Sequence, residues 1–220
     1  MRVARTVFSA LIVLAVLATA AVAYAARDPH REQERLTAAD NALAKRALAN
    51  AGDLGAGWKR TAVEGDEDEP TRCAGYDPDF SAFTITGKAR IAFVQPTGSS
   101  IVSTVDVLKT RAQAAADFRL GATRAFAGCF GKLPGREFAK GGVPVEIVSS
   151  RMMSAPRVGE QSAAFRVVAK LQSGGSSVSL TMDLLAVQRG RSLAGLFFTG
   201  VGKPLAGQRE LARTVAGRMR

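Results

Sequence analysis

The hydrophobic pattern divides the chain into a leader and a folded body. An uncharged apolar run from Val7 to Ala23 follows Arg2 and Arg5, and Ala23-Tyr24-Ala25 has the small-x-small form of a cleavage site. Two cations hold the N-terminus on the cytoplasmic side while the apolar run enters the bilayer, so the remainder is expected outside the cytoplasm. A spanning helix wants ~20 apolar residues, and the run is close enough to leave two readings open. Residues 1–25 are a cleaved signal peptide or a retained anchor that contacts the membrane.

Beyond the leader, Arg27 to Arg35 is charged and aperiodic, so residues 26–36 read as a tether. Thr37 with Asp40 three residues on forms a capping-box-like start. Leu36, Ala39, Leu43 and Ala47 then recur at helical spacing until Asn50-Ala51-Gly52 stops the helix. The turn from Asp53 to Gly57 delivers Trp58 as a plug against the core, and Glu64 to Pro70 is a solvated acidic loop. Phe83 to Thr86, Ala89 to Val94 and Ser99 to Leu108 carry strand patterns, the last two joined by Gln95-Pro96-Thr97-Gly98 as a hairpin. The period then changes: Phe118, Ala122, Ala125 and Cys129 share one helical face, predicting one long helix from Thr110 to Cys129.

Lys132 to Gly142, rich in glycine and proline, reads as a loop, and Val143 to Met152 as a strand. Ala163 to Leu171 and Ser176 to Gln188 form a hairpin about Gly174 and Gly175. That register sets Phe165, Val167, Ala169 and Leu171 on the face of Val178, Leu180, Met182 and Leu184, with Arg166 opposite Asp183. Ser192 to Thr199 is a further strand. Pro204 opens a terminal helix whose buried stripe is Leu211, Val215 and Met219. The expected fold is α+β: an antiparallel meander with helices packed on one face, as a single domain over residues 37–220.

Charge changes the picture modestly. The net charge is +11, yet from Arg27 to Phe80 acids outnumber bases, so a cationic body follows an acidic segment. Such a body attracts anions, although an arginine-rich surface also simply confers solubility. Nucleic-acid binding needs exposed aromatics among the bases on one face, which this composition does not offer.

The chemical inventory is short. Cys73 and Cys129 are the two cysteines of a chain routed to an oxidising compartment, and a disulfide between them is the natural reading. His30 is the one histidine and lies in the tether, so the folded body has no material for a Ser–His–acid or Cys–His arrangement or for the usual zinc sites. The acidic loop lacks the spacing of an EF-hand. No metal or other cofactor is expected. Asp106 and Asp183, both on strands, leave a carboxylate-dependent hydrolase as an alternative.

The stretch from Asp53 to Arg220 resembles the exported sensor-like domain at the C-terminus of certain actinobacterial serine/threonine kinases and of related secreted or lipid-anchored proteins. The residues behind this are Asp53-Leu54 with Gly57-Trp58, then Cys73, Thr86-Gly87-Lys88-Ala89, Ala114 to Cys129, Gly159-Glu160-Gln161-Ser162, and Ala212-Arg213 with Arg218. The resemblance implies an antiparallel sheet with flanking helices, a cleft that takes a ligand, and no catalysis. The sequence departs from that pattern: no kinase domain stands ahead of the leader, no cysteine follows the apolar run to carry a lipid, and one cysteine pair replaces two.

The expectation is therefore an exported, non-catalytic ligand-binding or sensor-like domain of the cell envelope. The alternatives are the hydrolase and a scaffold that binds anionic polymers. The ligand, an anionic or amphiphilic envelope component, is expected on the polar sheet face bearing Thr104, Asp106, Arg166, Lys170, Thr181 and Asp183.

Overall fold

The computed structural model describes residues 28–63, 72–140, 142–173 and 176–220. The expected leader, the acidic loop Glu64 to Pro70 and the turn glycines Gly174 and Gly175 lie outside the described residues. The elements are β1 (Gln33–Glu34), α1 (Ala38–Ala47), α2 (Ala51–Leu54), β2 (Lys59–Thr61), β3 (Thr84–Val94), β4 (Ser100–Leu108), α3 (Arg111–Gly121), α4 (Arg124–Phe130), α5 (Leu133–Lys140), β5 (Val145–Met153), β6 (Gln161–Ser173), β7 (Ser176–Arg189), β8 (Ser192–Val201) and α6 (Gln208–Arg218).

The strands form one sheet in the order β1-β3-β4-β8-β7-β6-β5, with β2 also on the outer edge of β3. Every pair is antiparallel except β1 with β3. The meander is β5 to β8; its last strand returns to dock on β4 of the separate β3–β4 hairpin. The protein is thus an α+β domain with a mostly antiparallel sheet.

Helices cover both faces of that sheet, not one. On the first face α1 and α6 supply Ala44, Ala47, Leu211 and Val215 against Val105, Val107, Leu185, Val187, Leu196 and Phe198. On the second, α3 and α4 supply Phe118, Ala127 and Phe130 against Phe165, Val167 and Leu184. The central strands carry apolar residues at both parities, as a doubly covered sheet requires. Leu211, Val215 and Met219 are buried as the α6 pattern indicated, and Trp58 packs partly buried against the first-face core.

Several local expectations change. The tether is part of the fold from Gln33, whose amide bonds to the Phe83 carbonyl at 2.8 Å, followed by Arg35 to Ile85 at 2.8 Å and Thr37 to Thr86 at 2.7 Å. Asn50 and Asp53 reciprocally cap a new short helix, α2, where a stop was expected. The long helix is two helices. Ala122 leaves helical geometry and Thr123 caps α4 by accepting the Phe126 amide at 3.0 Å, so Gly121-Ala122-Thr123 is a stop followed by an N-cap. The expected loop 132–142 contains α5, where Pro134 is tolerated in the first turn. The terminal helix begins at Gln208 behind Gly207, which takes the left-handed φ of 76°, rather than at Pro204.

The β6–β7 hairpin has the expected register: Phe165 pairs Leu184, Arg166 pairs Asp183, Val167 pairs Met182, and the ladder ends at Ser173 with Ser176. Cys73 and Cys129 are disulfide-bonded, their Cα atoms 5.7 Å apart across a separation of 56 residues. Among the described residues no helix is long and apolar enough to cross a membrane.

Candidate functional site

The meander and the start of α6 enclose an open cleft of about 160 Å³. Its floor is Arg166 and Ala164 of β6 with Asp183 and Leu185 of β7. Met153, Ser154 and Pro156 at the exit of β5 form one wall, and Gln208 and Arg209 of α6 form the other. Alternation along β6 and β7 turns Ala164, Arg166, Asp183 and Leu185 to the first face. Polar groups therefore interrupt an apolar wall at the edge of the core.

Asp183 is the centre of that polar group. It is 4% exposed and accepts Arg166 Nε at 2.6 Å, Arg166 Nη2 at 2.8 Å and Gln208 Nε2 at 2.7 Å. This is a bidentate, charge-assisted pair with its second oxygen further satisfied, the geometry that offsets the desolvation of a buried carboxylate. The Asp183 carboxylate holds the Arg166 guanidinium more firmly protonated than usual. Arg166 remains about a quarter exposed, and its Nη1 has no hydrogen-bond partner among the described residues. Arg209, exposed at the opposite wall, has no carboxylate partner among the described residues. With Asp183 neutralising one guanidinium, the cleft carries one excess positive charge.

The expected site residues divide. Arg166 and Asp183 meet in the cleft. Thr181 lies on the same face but is buried between Val168 and Gly200 in register. Lys170 is exposed four residues along β6 from Arg166, about 13 Å at the rise of an extended strand. Asp106 is on the second face with Thr104: it pairs Leu193, whereas Asp183 pairs Phe198, which pairs Ile101. The two aspartates therefore form no dyad. The polar face expected from alternation alone was wrong at β4 because β8 lies between β4 and the hairpin, and its pairing fixes which parity of β4 shares the face of Asp183.

Gln208 and Arg209 were missed because Pro204 set the start of the terminal helix four residues early. Gly207, which occupies the N-cap, places them in its first turn. The second face holds its own polar group. Burial, then the neighbouring charges of Glu32 and Asp106, pushes Asp117 up to about 8. Burial likewise raises Glu32, and Tyr76 to about 12. Among the described residues no cluster of three histidine, cysteine or acidic side chains is arranged to hold a metal ion.

No family model matches the chain, and no curated protein is detectably similar to it.

Proposed function

We propose that this is an extracytoplasmic, non-catalytic binding domain, sensor-like in the sense of the family it resembles, and that the cleft takes an anion with a small apolar part. The observation that carries this reading is Arg166. Asp183, itself held by the Gln208 amide, fixes it in one geometry, and one edge of its guanidinium stays free beside the apolar Met153, Pro156, Ala164 and Leu185. An oriented guanidinium in an apolar wall recognises a carboxylate or phosphate without a large reorganisation cost. The cleft is smaller than the ~300–1,000 Å³ of drug-sized sites, so it suits a headgroup or a short acid rather than a whole lipid or glycan.

The disulfide and the leader support a location outside the cytoplasm. The hydrolase alternative loses its carboxylate pair, because Asp106 and Asp183 face opposite sides of the sheet and Asp183 is fully engaged by Arg166 and Gln208.

A thermal-shift series with butyrate, inorganic phosphate and anionic phospholipid vesicles tests the reading. Arg209→Ala removes the unpaired cation without touching the buried pair, and Lys170→Ala serves as the distant control. A shift lost in Arg209→Ala and kept in Lys170→Ala supports the cleft. A shift lost only in Lys170→Ala, no shift with any probe, or turnover of ester or glycan substrates overturns it.

A further inference from the structure

The two edges of the sheet are unequal. The outer edge of β3 is occupied by β1 and β2, whereas β5 pairs only with β6 among the described residues and leaves a nine-residue edge. That edge exposes two apolar side chains, Val148 at 49% and Met152 at 37% accessible, beside the charged Glu146 and Arg151. Long edge strands recruit further strands unless they are blunted.

β5 also carries a bulge that determines what can pair with it. Its register passes from Ile147 opposite Ala169 to Ser149 opposite Val168, so Val148 is the extra residue. The extra residue inverts the parity of side chains across the strand. Glu146 lies opposite Lys170 and Arg151 opposite Arg166, and Lys170 and Arg166 share one face of β6. Glu146 and Arg151 therefore share a face although one number is even and the other odd. Val145, opposite Leu171, and Met152, opposite Phe165, share the other face in the same way.

We propose that β5 is a self-association edge, joining two copies of this chain antiparallel into one continuous sheet. The register sets Glu146 against Arg151 of the second copy and Val145 against Met152 of the second copy. Cross-strand partners must lie on the same sheet face, and a two-fold pairing without the bulge would forbid an odd sum of residue numbers. The bulge permits it, and this register overlaps Val145 to Met152 in full while bringing together two opposite-charge pairs and two apolar pairs. Arg151 has a further reason to be met. Its in-register neighbour within the chain is Arg166, whose guanidinium already takes the Asp183 carboxylate, so no acid of the described hairpin is left to face Arg151. Glu146 of the second copy supplies the missing acid. This inference is independent of what the cleft binds.

The test is sedimentation equilibrium of the protein recovered from an exporting host, with Glu146→Arg, Arg151→Glu and the double exchange, each checked for folding by circular dichroism. Both residues are exposed, so the fold survives each change. The expected result is a mass twice that of one chain for the wild type, one chain for each single variant, and doubling restored in the double exchange. A wild type that stays at one chain at every concentration hands the edge to a different strand donor and overturns the proposal. So does a dimer indifferent to Arg151→Glu, or one that the double exchange does not restore.

Discussion

Replacing Asp117 by asparagine should stabilise the protein near neutral pH and leave it unchanged in acid. Asp117 sits on α3 over the second face of the sheet, where burial first, then Glu32 and Asp106, raises its carboxyl from 3.8 to about 8. The unfolded chain releases that proton near pH ~4 and the folded chain holds it until about pH 8. Between those limits the folded state binds more protons, so stability falls as pH rises. It is fully retained below the unfolded value and lost progressively up to the folded one. At pH 7 the unfolded state gains ~1.4 kcal/mol for each of roughly three pH units, an upper bound of about 4 kcal/mol. Partial solvent access to Asp117 reduces this to about 2–4 kcal/mol. Asparagine keeps the shape and cannot ionise in either state, so it removes the penalty. Urea denaturation of both proteins at about pH 4 and about pH 7 measures it. The variant should exceed the wild type only at the higher pH. An equal difference at both values, or a less stable variant near neutrality, would refute the account of this cluster.

Three further outcomes follow from packing and cross-linking. Cys129 is 1% exposed and bonded to Cys73; Cys129→Ser should cost ~2–5 kcal/mol in urea denaturation, and two reactive thiols in the native protein would contradict the pairing. Gly87 lies where α1 crosses β3, and a Cβ there would overlap the Asp40 carbonyl. Gly87→Ala should therefore destabilise by ~1–3 kcal/mol. Gly128→Ala, in α4 with nothing near its Cβ position, should be neutral or stabilise by up to ~1 kcal/mol, and a loss at Gly128 equal to that at Gly87 would refute the steric reasoning.

The β6–β7 register was legible because two glycines between alternating runs fix which residues oppose one another, and Arg166 with Asp183 follows from that count alone. The Thr37 cap and the buried α6 stripe were legible for the same reason: their signals act over one turn. What failed was non-local. The face of Asp106 depends on β8, a strand some ninety residues away in sequence. The β1 pairing of the tether depends on a strand that Gln33 and Glu34 join without any apolar pattern of their own. The cleft needed both kinds of information. Its floor is local to a hairpin, while its walls come from the end of β5 and the start of α6, which no periodicity brings together.

The position of β8 governs the order in which the fold can assemble. The β3–β4 hairpin and the β5–β7 strands have no contact ladder with each other until β8 pairs with both β4 and β7. In a polypeptide emerging from its N-terminus, β8 is the last of the described strands to arrive. Closing so long a loop is slow, and until then β4 and β7 present open edges to any neighbouring chain. The Cys73–Cys129 bond lies wholly within the part that emerges earlier. Both cysteines emerge before β8, so the bond that anchors α4 to the N-terminal half does not require a completed sheet.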